Sequence, residues 1–318
     1  MNISWITRLH DDLIRLRRDA RGWGNRPGGK PYVEPTALAA LSLAASEPAT
    51  NASRSRDAVA QSADWLAELQ QEDGSLGISP DLPQPHWTTP LGVLVWSAAG
   101  GGSTDATIRA KKAQRKAIAW LLLQSGETWN PTADTPYGHD TRIPGWPWVE
   151  KTHSWLEPTA LAVLALRLSG QAAHPRSHDG VRLIHDRAIR TGGWNYGNSA
   201  VFGADLRPQP APTGLALLAL ATVDDFDEPV VERGCTYLEK ILPTTHAPQS
   251  LCFGMLALSA WGRRPANAEE LLTTAYDGAA RSSNSIAQLA YLLLAAGPRA
   301  LVLLGVAPLP GVETEPKR

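Results

Sequence analysis

Two phrases in this sequence place an acid where an apolar run begins. Glu34-Pro35-Thr36-Ala37 opens the run at 37–45, and Glu157-Pro158-Thr159-Ala160 opens the run at 160–168. A carboxylate beside Pro at such a start meets the positive end of a helix dipole, which gives both residues an ordinary structural reading. Burial and a neighbouring Glu would instead raise the carboxyl pKa and leave a neutral acid. A second concentration of chemistry lies upstream of Glu157. Trp146, Trp148 and Trp155 gather around His139, Asp140 and His153 in the longest connection of the chain. Long structured loops are disproportionately functional, so this segment is a candidate lid or cavity wall; Trp packing onto an irregular loop is the structural alternative. His86 and Trp87 precede another apolar run and would face the same end, with a hydrogen-bonding His as the plain reading. In Gly192-Gly193-Trp194-Asn195-Tyr196-Gly197, the glycines make a turn that sets the Trp194 and Tyr196 ring faces where a cation could be stabilised. Metal chemistry has no support, because HExxH and CxxC are absent and Cys235 and Cys252 are the only cysteines.

The elements that position these residues repeat along the chain. A Pro or small polar residue, then Thr or Ser, precedes Ala/Leu-rich runs near Thr36, Pro90, Thr159, Thr213, Ser250 and Ser285. Runs apolar on every side are buried helices. Between them, 58–71, 111–124, 181–191, 230–242 and 268–280 are amphipathic. Alternation of the two kinds predicts two concentric layers, with the apolar helices inside. An open α-solenoid is the structural runner-up, though it would normally show a more constant repeat length than the roughly 35 to 70 residues between copies here. Period-two alternation, the mark of strands, is almost absent.

Composition narrows the function classes. The 318 residues carry 30 basic and 31 acidic side chains, a formal charge of −1, which argues against a nucleic-acid partner. Two cysteines build no disulfide framework. Residues 1–21 lack the unbroken apolar core of a signal peptide, and no apolar run reaches a membrane span, so a soluble cytoplasmic protein is expected. Aromatics are skewed to 12 Trp and 6 Tyr against 3 Phe, a choice that suits binding cavities as well as cores.

These phrases resemble the squalene–hopene cyclase and protein prenyltransferase superfamily, whose domains are α/α toroids. The cyclases carry a QW repeat of basic, small, aromatic, Gln and Gly-x-Trp positions. Gln61-Ser62-Ala63-Asp64-Trp65-Leu66 with Gln70 and Gly74-Ser75-Leu76 is similar to it. So are Lys116-Ala117-Ile118-Ala119-Trp120-Leu121 with Gln124, and Arg233-Gly234-Cys235-Thr236-Tyr237-Leu238. The resemblance spans about 22–296. The cyclase signature Asp-x-Asp-Asp-Thr-Ala falls on 155–160, with Glu157 at the proton-donating position and Trp155 and Pro158 replacing the flanking acids. The segment 32–37 fits equally well, with Glu34 in that place. Asp224-Asp225-Phe226-Asp227 has the wrong order and reads as a helix cap. The prenyltransferase zinc ligands have no counterpart. A hopene cyclase has two such barrels and this chain is about half its length, so a cavity between barrels would need a second subunit.

The expectation is an all-α chain: a single α/α toroid of six inner and about six outer helices over 22–297, an N-terminal amphipathic helix packing on it at 1–21, and a C-terminal tail at 298–318. The resemblance implies a terpene cyclase-like protein that holds a hydrophobic isoprenoid in a Trp-lined cavity and performs protonation-initiated cyclisation or isomerisation. Glu157 and Glu34 would be the acids. Trp155, His153, Trp148, Trp146, His86, Trp87, Trp194 and Tyr196 would touch the substrate. No cofactor or metal is expected. The partner would be an isoprenoid or other apolar small molecule, with peripheral membrane contact and a second subunit both compatible. Two alternatives stand beside this reading: a non-catalytic toroid binding a lipid-like ligand or a protein, and a carbohydrate-active α/α barrel, since Trp platforms and paired carboxylates also suit sugars.

Overall fold

A computed structural model describes residues 4–17, 21–46, 52–100, 105–132, 134–282 and 285–307. The last part of the expected C-terminal tail, 308–318, lies outside the described residues. Among the described residues 58% are helical and almost none lie in strands, which sets the class as all-α. Six helices carry the apolar runs: α2 (Val33–Ala45), α4 (Thr89–Ala99), α6 (Leu156–Leu168), α8 (Pro210–Leu220), α10 (Pro248–Ala260) and α12 (Ile286–Ala296). They are buried nearly all round; in α8 every residue from Ala211 to Leu220 is buried. Each packs on the next, α2 on α4, α4 on α6 and so on to α12, which returns to α2.

The amphipathic helices cover the seams. Helix α3 (Ala52–Leu69) bridges α2 and α4, α5 (Asp105–Leu123) bridges α4 and α6, and α7 (Pro175–Asp186) bridges α6 and α8. Likewise α9 (Glu228–Ile241) lies over α8 and α10, and α11 (Ala268–Ser282) over α10 and α12. Helix α1 (Trp5–Arg15) rests on α12 and α3 with Trp5, Leu9 and Leu13 buried, and α13 (Ala300–Leu303) packs on α2, α4 and α10. This is an α/α toroid-like arrangement. No helix among the described residues is long and apolar enough to cross a membrane.

The Gly-Trp phrases are the joints between layers. The backbone N–H of Trp23, Trp146 and Trp194 each donates at 2.9 Å to the hydroxyl of a Thr in the first turn of the following inner helix, Thr36, Thr159 and Thr213. Each indole N–H donates to a carbonyl near the end of the preceding outer helix: Leu13 at 2.8 Å, Leu121 at 3.0 Å and Ile184 at 2.7 Å. One side chain thus ties an outer helix end to an inner helix start. Gly precedes Trp because a Cβ at Gly22, Gly145 or Gly193 would lie 2.5–2.9 Å from that Thr hydroxyl.

The second repeat solves the same problem with a swap. Leu76 stands where Trp would be, and its N–H still donates to Thr89 at 2.9 Å. The missing indole is supplied from inside, as Trp96 of α4, fully buried, donates to the carbonyl of Ala63 at 3.0 Å.

Two features depart from the sequence reading and one agrees with it. Helices α3, α5 and α7 begin about six residues earlier than the amphipathic stretches, because their first turns are too polar to carry a periodic apolar signal. Asp227 caps α9 as expected, accepting the Val230 N–H at 3.2 Å. A small hairpin, Ala200–Val201 paired with Ala204–Asp205 through Phe202 and Gly203, projects from the α7–α8 connection and was not foreseen.

Candidate functional site

The first turns of alternate inner helices meet at one end of the fold. Helix α2 brings Glu34, α6 brings Glu157 and α10 brings Gln249. The Gln249 amide donates to Glu157 Oε1 at 3.1 Å across 92 residues of sequence. Tyr291 of α12 is buried against this group and meets Phe253 of α10 edge-on at 5.4 Å. Spacing from the hydroxyl-bearing Thr explains the convergence. Glu34 and Glu157 each stand two residues before it, at Thr36 and Thr159, so equivalent first turns project equivalent side chains. On α4 the same place, two before Thr89, is held by Trp87.

Electrostatics set the two carboxyls apart from ordinary helix-start acids. Burial first, then the charge of Glu34, push Glu157 up to about 7 against a weaker opposing effect of the Gln249 hydrogen bond. Burial alone raises Glu34. The Tyr291 phenol lies well above its usual range, by burial and by the two carboxylates facing it. A helix N-terminus favours the anion, so the net rise at Glu157 shows burial and like charge winning.

The other sequence candidates fall into three groups. Trp146 and Trp194 are 3% and 0% exposed and belong to the inter-layer joints described above. His86 and Trp87 pack with the long connection. His86 Nδ1 lies 2.5 Å from Glu150, its Nε2 lies 2.9 Å from the Gln71 amide, and Trp87 meets Trp148 at 4.8 Å. The Gln71 amide nitrogen also donates to the Pro83 carbonyl at 2.7 Å, so it acts as donor to His86 Nε2 and leaves the Nδ1 proton facing Glu150. The space enclosed by His86, Trp87, Trp120, Trp146 and Glu150 is about 10 Å³, room for one water at most. These residues close on one another.

The third group is more open. His153 lies 4.6 Å from Trp155 and 6.4 Å from Trp129, and Tyr196, 46% exposed, joins the same region through its carbonyl, which accepts the Leu156 N–H. A cavity of about 770 Å³ opens elsewhere, between the C-terminal ends of α2 and α4 and the starts of α3 and α5. None of the candidate residues lines it.

Sequence reasoning missed Gln249 and Tyr291. Gln249 had a signal, since Pro248-Gln249-Ser250 is a weak copy of the inner-helix phrase. Tyr291 had none, being one aromatic in an apolar run. Both cysteines are buried and unpaired, and burial pushes Cys235 up to about 12. Among the described residues, no three His, Cys, Asp or Glu side chains are grouped to hold a metal ion.

Comparison with protein-family models gives no match, and no curated protein matches by sequence. Solved structures share the fold. A protein from Actinoplanes superposes with a TM-score of 0.58 at 16% identity, covering 94% of this chain and 98% of its own. An Asp-to-Asn variant of the type II terpene cyclase MstE from Scytonema, in complex with its substrate geranylgeranyl dihydroxybenzoate, gives 0.58 at 15% identity, with 95% and 97% covered. A glycosidase gives 0.57 at 12% identity, with 95% and 96% covered. At these identities the likeness is one of fold: an α/α toroid-like architecture that is seen in enzymes.

Proposed function

We propose that this chain is a terpene cyclase-like enzyme that binds an isoprenoid at the end where α2, α6 and α10 converge and starts cyclisation or isomerisation by protonating an alkene from Glu157. The observation that carries the reading is the Glu157 carboxyl raised to about 7 beside Glu34, a group that keeps its proton near neutral pH and can still give it up. In the proposed step the Glu157 O–H bond breaks as a C–H bond forms on the alkene. The resulting carbocation either loses a proton directly, giving an isomerised alkene, or is attacked by a second double bond. That attack closes a ring and leaves a new cation that then loses a proton; in both branches the proton lost restores the acid. Glu34, whose charge raises Glu157, acts as the second carboxyl of the pair. Trp155 and Tyr196 offer ring faces to the cation. The reaction takes no metal or cofactor. The substrate bound by MstE, with its geranylgeranyl chain, supports an apolar chain-bearing ligand for this fold.

A carbohydrate reading has one observation of its own: two carboxyls that feel each other's charge, in a fold also adopted by a glycosidase. One experiment separates the two. The purified protein is incubated with polyprenyl substrates of graded length and, in parallel, with oligosaccharides, and products are analysed by mass. The cyclase reading expects a product isomeric with a polyprenyl substrate, and its loss in a folded Glu157→Gln protein. Sugar release would replace it with the carbohydrate reading. Ligand binding without turnover of either class would leave a non-catalytic binding toroid.

A further inference from the structure

Beside Trp155 lies a second polar cluster that the proton-donor step does not use. Arg187, the residue that ends α7, is only 4% exposed. Its Nη1 donates to the Gly197 carbonyl at 2.6 Å, while its Nε lies 3.3 Å from Asp186 without an aligned hydrogen bond. His139 also keeps a buried nitrogen, Nδ1, that has no partner. A buried polar atom with no partner, such as His139 Nδ1, is uncommon because it forfeits its hydration for nothing in return, and here it stands near a buried guanidinium whose Nε has only the unaligned ion pair with Asp186.

The charges here are paired, Arg187 with Asp186 and Arg142 with Asp140. Burial, then the charges of Arg187 and His153, hold His139 down to about 3, with Asp140 opposing weakly. Burial and then Arg187 lower His153 as well. The nearby acids are already engaged. Asp140 takes the Arg142 guanidinium at 2.8 Å on both oxygens, and Asp186 accepts the Asp140 N–H at 3.1 Å.

The walls are aromatic. His139 stacks on Tyr137 at 5.4 Å, Tyr137 meets Trp129 at 6.4 Å, and Trp129 leads through His153 to Trp155. Trp129 and Tyr137 remain 40% and 39% exposed, so an open aromatic edge runs from solvent toward the buried guanidinium. A fixed guanidinium and an imidazole donor between flat apolar faces match a planar group that carries an oxyanion.

We propose that Arg187 and His139, walled by Trp129, Tyr137 and Trp155, bind an oxyanion, with an aromatic carboxylate as the best fit. On the cyclase reading above, on which the word substrate here rests, this is where the head group of the substrate sits while its chain reaches Glu157.

The test uses the full chain with benzoate and, separately, inorganic pyrophosphate, read by calorimetry and by the His139 imidazole NMR signal. Benzoate is expected to bind and to raise the proton affinity of His139, since an anion favours the imidazolium. His139→Phe and Trp129→Ala, both at partly exposed positions, are expected to weaken binding tenfold or more with an unchanged circular dichroism spectrum. Arg187→Lys is expected to abolish it. Should Arg187→Lys fail to fold, the other two variants decide. Tighter binding of pyrophosphate than of benzoate, with the same variant pattern, keeps the oxyanion site and assigns a phosphate head group. Binding of neither anion, or binding indifferent to His139→Phe and Trp129→Ala, overturns the site. Glu157→Gln is expected to bind benzoate as the parent does. Absence of turnover on every polyprenyl substrate therefore removes the cyclase reading without touching this one.

Discussion

The raised Glu157 carboxyl leaves a signature in stability that needs no knowledge of a substrate. In the unfolded chain this acid ionises near 4.5, and in the folded protein near 7. Between those values the folded state binds more protons, so stability is highest below pH 4.5 and declines as pH rises through 7. Above that point the folded state carries the whole penalty, up to about 3 kcal/mol, and solvent access at the helix ends trims this to ~2 kcal/mol. Glu157→Gln cannot ionise, and its side-chain carbonyl can still accept the Gln249 amide. The variant is therefore expected to be ~2 kcal/mol more stable than the parent at pH 8 and within ~0.5 kcal/mol of it at pH 4.5. Urea unfolding at both pH values, with equal slopes required for comparison, measures the difference. A difference that stays constant between the two pH values, or a Gln variant less stable at pH 8, would refute the reasoning.

Further predictions concern the joints and the core. Thr159→Val strands the buried Trp146 N–H and is expected to cost ~2 kcal/mol in urea unfolding. Leu76→Trp brings a second indole into space that Trp96 already fills, because a Cβ on Gly92 would sit 2.4 Å from Leu76 and 3.1 Å from Trp96. It should destabilise by ~1–3 kcal/mol, and adding Trp96→Leu should recover part of the loss in a double-mutant cycle. Arg176→Met removes donors to the carbonyls of Gln124 and Gly145 and a guanidinium 4.2 Å from the Trp146 ring, a loss of ~2–3 kcal/mol by the same assay. Cys235 and Cys252, at 1% and 0% exposure, are expected to resist an aromatic disulfide reagent until the protein is unfolded. Fast labelling of either in native protein would contradict this core packing.

The layered architecture was legible because its physics is local. Helices that are apolar on every side, such as 213–221, announce their burial without any partner in view, and Gly-Trp pairs mark the joints where Thr waits one helix later. The swap of Trp96 for the expected Trp at 76 was invisible, since it depends on which side of the layer supplies the indole. The candidate site was half legible. Glu34 and Glu157 were found from their place before Pro-Thr, but Gln249 reaches Glu157 only through closure of the inner ring. Arg187 reads in sequence as a basic helix end, and only burial beside His139 reveals it as something else. Trp146 and Trp194 looked like ligand faces because a Trp that packs and a Trp that binds have the same sequence signal.

The central claim is that Glu157 holds its proton well above the ordinary carboxylate range, up to about pH 7. Its carboxyl carbon can be followed by ¹³C NMR in glutamate-labelled protein, with the signal assigned by its absence in Glu157→Gln. The account predicts a titration midpoint near 7, with the acid protonated at pH 5.5. A midpoint at or below the ordinary 4.5, the behaviour of a carboxylate serving only the helix dipole, would contradict it.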